Sequence, residues 1–267
     1  MRSLCFFFFL VIPLEVEAAG HFGMFFSPPN PILLGHKAAN QTTSYTQNGD
    51  FIPSLSGLYQ ITVVGGGGGA GGIWTDTKWP GAAGGGGAGA TAYYFAPLTS
   101  GVSYSIVVGA GGSGSCNGAY FNTDGGVSSF LNADQQITVT AGGGKKGSSY
   151  SEYTGNSGGL AGVTAQATYT GPAGAGEKGQ DYNNGEGIVG GKGGDSSQGV
   201  GGSAGTGDYW TSEANADTPG NGKPLATAYG AGGGGGGARG DGLPLGTYVA
   251  TCGGAGMQGV VIIKSLF

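Results

Sequence analysis

Glycine supplies 65 of the 267 residues and arrives in blocks, among them 65–69, 84–87 and 232–237. An average chain carries about 7% glycine. Glycine loses more conformational freedom on folding than any other residue. A folded chain this rich in it needs backbones to lie closer together than side chains permit. Disordered glycine-rich chains lack apolar strand formers, yet here 38% of residues are hydrophobic and 10% aromatic. A collagen triple helix needs glycine at every third position. The stretch Gly171-Pro172-Ala173-Gly174 starts such a register and loses it within two triplets. No stretch places apolar residues at helical spacing, so almost no α-helix is expected.

Strand alternation is clear in several places. Residues 57–64 put Tyr59, Ile61 and Val63 on one face, and residues 102–108 do the same with Val102, Tyr104, Ile106 and Val108. Further strands are expected at 90–97, 127–131, 136–141 and 259–264. Together they predict an all-β fold, a β-sandwich or jelly-roll-like arrangement. Between 142 and 257 the strand signal fades and glycine recurs every two to four residues. A structureless loop of that length is unusual in a compact domain. Polyglycine II resolves this: three residues per turn, about 3.1 Å rise and no internal hydrogen bonds. Its amides bond to neighbouring helices only where no Cβ blocks approach. A glycine-rich bundle is therefore expected over 142–257, with a flexible linker as the alternative. The Tyr, Trp and Val residues there exceed what a linker needs.

The start reads MRSLCFFFFLVIPLEVEA. One Arg, an apolar run and small residues Val16 and Ala18 before the next Ala predict a signal peptide over 1–18. The alternative is a buried N-terminal strand. The run is too short for a transmembrane segment, which needs about 20 apolar residues. Residues 19–50 read as a polar leader or attachment segment, and 51–267 as the glycine-rich β domain. Cys5 lies in the signal, which leaves Cys116 and Cys252 as a disulfide or as two free thiols. Asn40 opens the only sequon, Asn40-Gln41-Thr42, a glycosylation site if the source is eukaryotic.

Net charge is −5, with 9% charged residues and Lys145-Lys146 as the only adjacent basic pair. Nucleic-acid binding needs clustered cations and is not expected. Two GxGxxG matches, at 174–179 and 185–190, neither follow a strand nor open a helix, so the dinucleotide reading fails. Two GxSxG matches surround Ser157 and Ser203, but His21 and His36 both precede them and no nucleophile elbow forms. No metal-ligand spacing occurs, no cofactor is expected, and the chain is not expected to be an enzyme. Arg239-Gly240-Asp241 follows six glycines and reads as composition.

Five inserts pair aromatic rings with Asn, Asp or Thr: 73–80, 117–124, 148–156, 180–184 and 208–217. That composition suits binding surfaces, and Trp and Tyr also stack on sugar faces. Candidate ligand-binding residues are Trp74, Trp79, Tyr120, Phe121, Tyr150, Tyr153, Tyr182, Tyr209 and Trp210. The alternative is that these rings pack the scaffold.

Residues 50–72 (DFIPSLSGLYQITVVGGGGGAGG) carry a Phe…Pro…Gly-x-Tyr-x-Ile-x-Val-x-Gly-Gly-Gly pattern, with Pro53 one residue off the commonest spacing. The segments 100–112, 125–130, 137–144 and 256–264 come after it in order. Over about 45–267 the chain resembles the glycine-rich β domain of phage tail-fibre and secreted bacterial surface proteins. A looser resemblance is to the tip adhesins of long tail fibres in T-even-type phages, where polyglycine II helices carry receptor-binding segments. The glycine-rich extracellular domain of certain animal receptor kinases is similar in grammar only. The resemblance implies a secreted or surface-displayed, non-enzymatic adhesin whose partner is a surface glycan or protein, with a virion fibre as a further location. The competing expectation is a self-assembling structural subunit of a filament, sheath or fibre. A homo-oligomer, trimer or filament, is expected in either case. Ice binding is a minor third reading.

Overall fold

The computed structural model describes residues 40–76, 81–116, 121–149, 159–179, 188–207, 229–238 and 248–267. The chain divides into two compact units, Met1–Lys37 and Ala38–Phe267, and every described residue belongs to the second. The signal-peptide reading and most of the leader lie outside the described residues.

Among the described residues, sixteen strands occur in chain order. The first eight are β1 (Thr42–Tyr45), β2 (Gly49–Phe51), β3 (Gly57–Val64), β4 (Trp74–Asp76), β5 (Gly81–Ala82), β6 (Thr91–Leu98), β7 (Tyr104–Val107) and β8 (Ser128–Asn132). They continue with β9 (Ile137–Ala141), β10 (Thr164–Ala165), β11 (Tyr169–Gly171), β12 (Ile188–Val189), β13 (Thr206–Gly207), β14 (Gly237–Ala238), β15 (Tyr248–Ala250) and β16 (Val260–Ser265). The fold is all-β, with no helix among the described residues.

Two antiparallel sheets of five strands, in the orders β1-β16-β3-β6-β11 and β10-β9-β8-β7-β2, face each other across one core. Alternation builds that core. Tyr59, Ile61 and Val63 of β3 meet Tyr104 and Ile106 of β7, Phe130 of β8 and Val139 of β9, all buried. Each such aliphatic or aromatic side chain contributes about 1.5–3 kcal/mol on burial. Tyr104 stacks on Phe130 at 5.2 Å, and its hydroxyl donates to Gln135 Oε1 at 2.6 Å, so the ring is buried with its polar tip satisfied. The six expected strands all form. The sandwich also takes in β1 and β2, so the domain reaches back into residues read as polar leader.

At the end of the sandwich the strands do not stop; they run on as glycine. Val64 of β3 leads into Gly65, and Ala141 of β9 into Gly142, while Ala90 enters β6 and Gly259 enters β16. Run 65–71 is bonded on all sides. Gly65, Gly68 and Gly71 donate to the carbonyls of Ala90, Gly87 and Gly84. Gly66 and Gly69 donate to Gly126 and Thr123, and Gly67 and Ala70 to Met257 and Gly254. The partner run changes at each residue and returns at every third, stepping back by three. The carbonyls repeat the pattern with parallel runs: Gly66 and Gly69 accept from Gly144 and Gly147, Gly67 and Ala70 from Gly112 and Ser115, and Gly68 and Gly71 from Gly233 and Gly236. These bonds span 2.7–3.2 Å, the ordinary range. A threefold repeat with every bond leaving the run is the polyglycine II pattern. Run 65–71 thus has six neighbours, three antiparallel and three parallel.

Run 83–90 is a second hub with six neighbours. It donates to 142–148, 174–177 and 230–236, and accepts from 65–71, 159–162 and 191–194. The bundle therefore extends upstream of 142, and its centre is the long glycine blocks. Residues 61–73, 81–92 and 230–237 are buried without a break. The glycines are required by approach. A Cβ on Gly67 would strike the Ala231 carbonyl, one on Gly68 the Lys145 carbonyl, and one on Gly86 the Gly68 carbonyl. Conformational freedom matters at Gly230, whose φ of 76° turns the chain into run 230–236.

Candidate functional site

The runs lie along a common axis, and it defines two ends of the bundle. The antiparallel register aligns Gly71 with Gly84, and Gly84 in turn with Ser148. Gly71 also bonds Gly236, Ala83 bonds Gly191, and Gly85 bonds Glu177. These residues form the layers away from the sandwich, here called the distal end. The turn at 196–199 lies at the opposite end, where Ser197 Oγ meets Thr91 Oγ1 of β6 at 2.7 Å.

Where the glycines give out, short side chains take over the hydrogen bonding. Ser115 Oγ accepts from Gly72 N–H at 2.9 Å and lies 3.0 Å from Ser149 Oγ. Thr251 Oγ1 accepts from Ile73 N–H at 3.2 Å, and the Thr251 N–H donates to the Ile73 carbonyl at 2.8 Å. Asn122 Nδ2 donates to the Gly147 carbonyl. Ser115, Asn122, Ser149 and Thr251 are all buried, and each holds a partner, as buried polar groups must. Three small antiparallel pairs lie beyond them: β4 with β15, β5 with β14, and β12 with β13. Cys116 and Cys252 close this end as a disulfide, with Cα atoms 4.0 Å apart.

The insert 117–124 returns to the bundle through Asp124. Its carboxylate accepts from Lys145 Nζ at 2.8 Å and from the Lys146 N–H at 2.9 Å. Partial burial pushes the Asp124 carboxyl upward, but these two donors and the nearby lysine charges outweigh it and hold its pKa below the ordinary value.

The candidate residues fall unevenly on this frame. Trp74 sits in β4, paired with Ala250 of β15. Phe121 is 81% exposed, and its carbonyl accepts from Ser113 Oγ at 3.2 Å. Trp79, Tyr120, Tyr150, Tyr153, Tyr182, Tyr209 and Trp210 lie outside the described residues. So does Arg239-Gly240-Asp241. Asn40 is exposed with φ 71° and leads, through Gln41, to Ser265 at the sandwich end away from the bundle.

The flanks are nonetheless informative. Residues 76 and 81, 116 and 121, 149 and 159, and 179 and 188 all border the distal layers. Residue 207, which precedes the insert 208–217, does so too, because Thr206 pairs with Val189. Every aromatic insert therefore leaves the lattice at the same end.

Two features escaped the sequence reading. The buried Ser115, Ser149 and Thr251 stand within two residues of a glycine and look like loop residues. A ring stack also covers the outer face of the first sheet: Tyr93 on Tyr169 at 4.4 Å and 13°, with Phe95 at 6.0 Å from Tyr169. It clasps the three-residue strand β11 to β6. In the GxGxxG match at 174–179, the Gly174 carbonyl accepts from Ala88 N–H and Gly176 N–H donates to the Gly159 carbonyl, both lattice bonds, and Ser203 of one GxSxG match is exposed on run 200–205.

No helix among the described residues is long and apolar enough to cross a membrane. Comparison with curated proteins finds no relative of significant similarity. A family model for a glycine-rich domain matches residues 43–266, and the chain belongs to that glycine-rich domain family.

Proposed function

We propose that this is an extracellular, non-enzymatic binding protein that presents aromatic-polar loops at the distal end of its glycine bundle to a surface glycan or an exposed protein. The observation that carries this reading is the shared exit. All five inserts leave the bundle at the end farthest from the sandwich, beside a disulfide and a buried hydrogen-bonded seal. A rigid base lowers the ordering cost of a binding surface. The signal-like start and the disulfide favour an oxidising, extracellular setting. The resemblance to tail-fibre and bacterial surface domains, and to tail-fibre tips, points to adhesion, on a cell surface or a virion fibre. The competing filament reading needs bare glycine backbone on the bundle's sides, and against it the most exposed described residues of the outer runs, among them Lys145, Leu160, Val163 and Val200, carry side chains.

The test is a chain carrying Trp74→Ala, Trp79→Ala and Trp210→Ala, assayed on host cells and a glycan array beside the parent. Interface anchors of this type are worth about 2 kcal/mol or more each. We expect binding to fall at least about tenfold while the disulfide forms and the melting temperature holds. Undiminished binding would overturn the reading.

A further inference from the structure

The outer runs share a phase. In run 109–115, Gly109, Gly112 and Ser115 are buried while Ala110 and Ser113 are exposed. In run 142–148, Gly144 and Gly147 are buried while Lys145 and Ser148 are exposed. In run 159–163, Gly159 is buried, whereas Leu160 and Val163 are 70% and 80% exposed. In run 190–195, four glycines are buried, and the outward residues are Lys192 and Asp195. Val200 and Ser203 take the same places in run 200–205. With three residues per turn, positions i and i+3 stand on one line of the helix. That is why Lys192 Nζ reaches Asp195 Oδ1 at 3.0 Å.

Inside the bundle each run is hydrogen-bonded to its neighbours, and that contact requires bare Cα atoms. A Cβ on the inward Gly144 would strike the Gly87 carbonyl, and one on Gly193 the Gly232 carbonyl. On the outward line of these outer runs the chain places side chains instead of glycine, except at Gly142, whose N–H is taken by the Val163 carbonyl of the next run. We infer that these residues terminate the lattice, keeping a second copy of the chain from adding to the side of the bundle. They act as charges and bulges act on an exposed sheet edge. Self-association, where it occurs, then uses the sandwich or the distal end. The outward side chains block lateral addition whether or not the distal loops bind a ligand.

The face formed by runs 142–148 and 159–163 provides the test. The two runs are joined by Lys145 N–H to the Leu160 carbonyl at 2.8 Å and by Gly142 N–H to the Val163 carbonyl at 2.7 Å. A chain carrying Lys145→Gly, Leu160→Gly and Val163→Gly bares that face. Sedimentation over a concentration series should show it associating at a concentration at least about tenfold below that of the parent. A control with Leu160→Lys and Val163→Lys should sediment as the parent does. A variant with Lys192→Gly and Asp195→Gly puts the same question to another side, should the first variant fail to fold. Folded glycine variants that sediment like the parent would overturn the inference. Parent assemblies that dissolve in the Leu160→Lys, Val163→Lys control would overturn it too, since that side would then be an interface.

Discussion

A glycine in this molecule is defined by its phase. Gly193 and Lys192 are adjacent in one run, yet Gly193 faces the Gly232 carbonyl while Lys192 points outward to Asp195. Gly193→Ala overpacks the lattice and leaves backbone donors short of partners, which together cost about 3 kcal/mol. Lys192→Ala removes only a surface ion pair, worth less than about 1 kcal/mol. Chemical denaturation of the two variants should show this contrast, although both introduce the same residue. At this scale the sequence was half legible. The glycine blocks called for close backbone approach, and 65–69, 84–87 and 232–237 are buried, but the bundle was expected only over 142–257, and two of these three blocks lie upstream of it. The outer phase was not legible, because Gly190-Gly191-Lys192-Gly193-Gly194-Asp195 reads as biased composition until its neighbours are known. Ser115 and Thr251 were missed for a similar reason: a hydroxyl close to glycines is a loop signal, and only the backbone donor it satisfies, Gly72 N–H or Ile73 N–H, makes it a seal.

At the scale of elements, the strands that bury one face were readable because alternation is a direct consequence of the pleat. The strands β3, β7 and β9 carry that signature. By contrast β1, β10 and β11 do not. Thr42–Tyr45 is polar throughout, and its strand exists because β16 offers an edge in register with it. Glycine runs after β3 and before β6 lie outside the bundle expected over 142–257. They prolong those strands, because an extended glycine backbone exchanges two lateral neighbours for six without changing direction. The distal seal joins an outgoing run to a returning one through Cys116 and Cys252, 136 residues apart. Cys116→Ser with Cys252→Ser should lower stability by about 2–5 kcal/mol. Proteolysis should then cut near 109–116 and 251–258 before it reaches the sandwich, as local opening begins where ties are fewest.

For the whole molecule, one β-sandwich supplies a hydrophobic core at one end, and a lattice of backbone hydrogen bonds extends from it. That lattice lacks large side chains, so its order rests on hydrogen bonds and close contact along buried runs. A sandwich with flexible glycine linkers would have the same composition and strands but would leave the aromatic inserts on independent tethers. Native-state hydrogen exchange separates the two most directly, because it reads each glycine amide. The packed bundle predicts that amides of 65–71 and 83–90 exchange about as slowly as those of β3 and β8. Exchange of those glycine amides at the rate of an unstructured chain would contradict it.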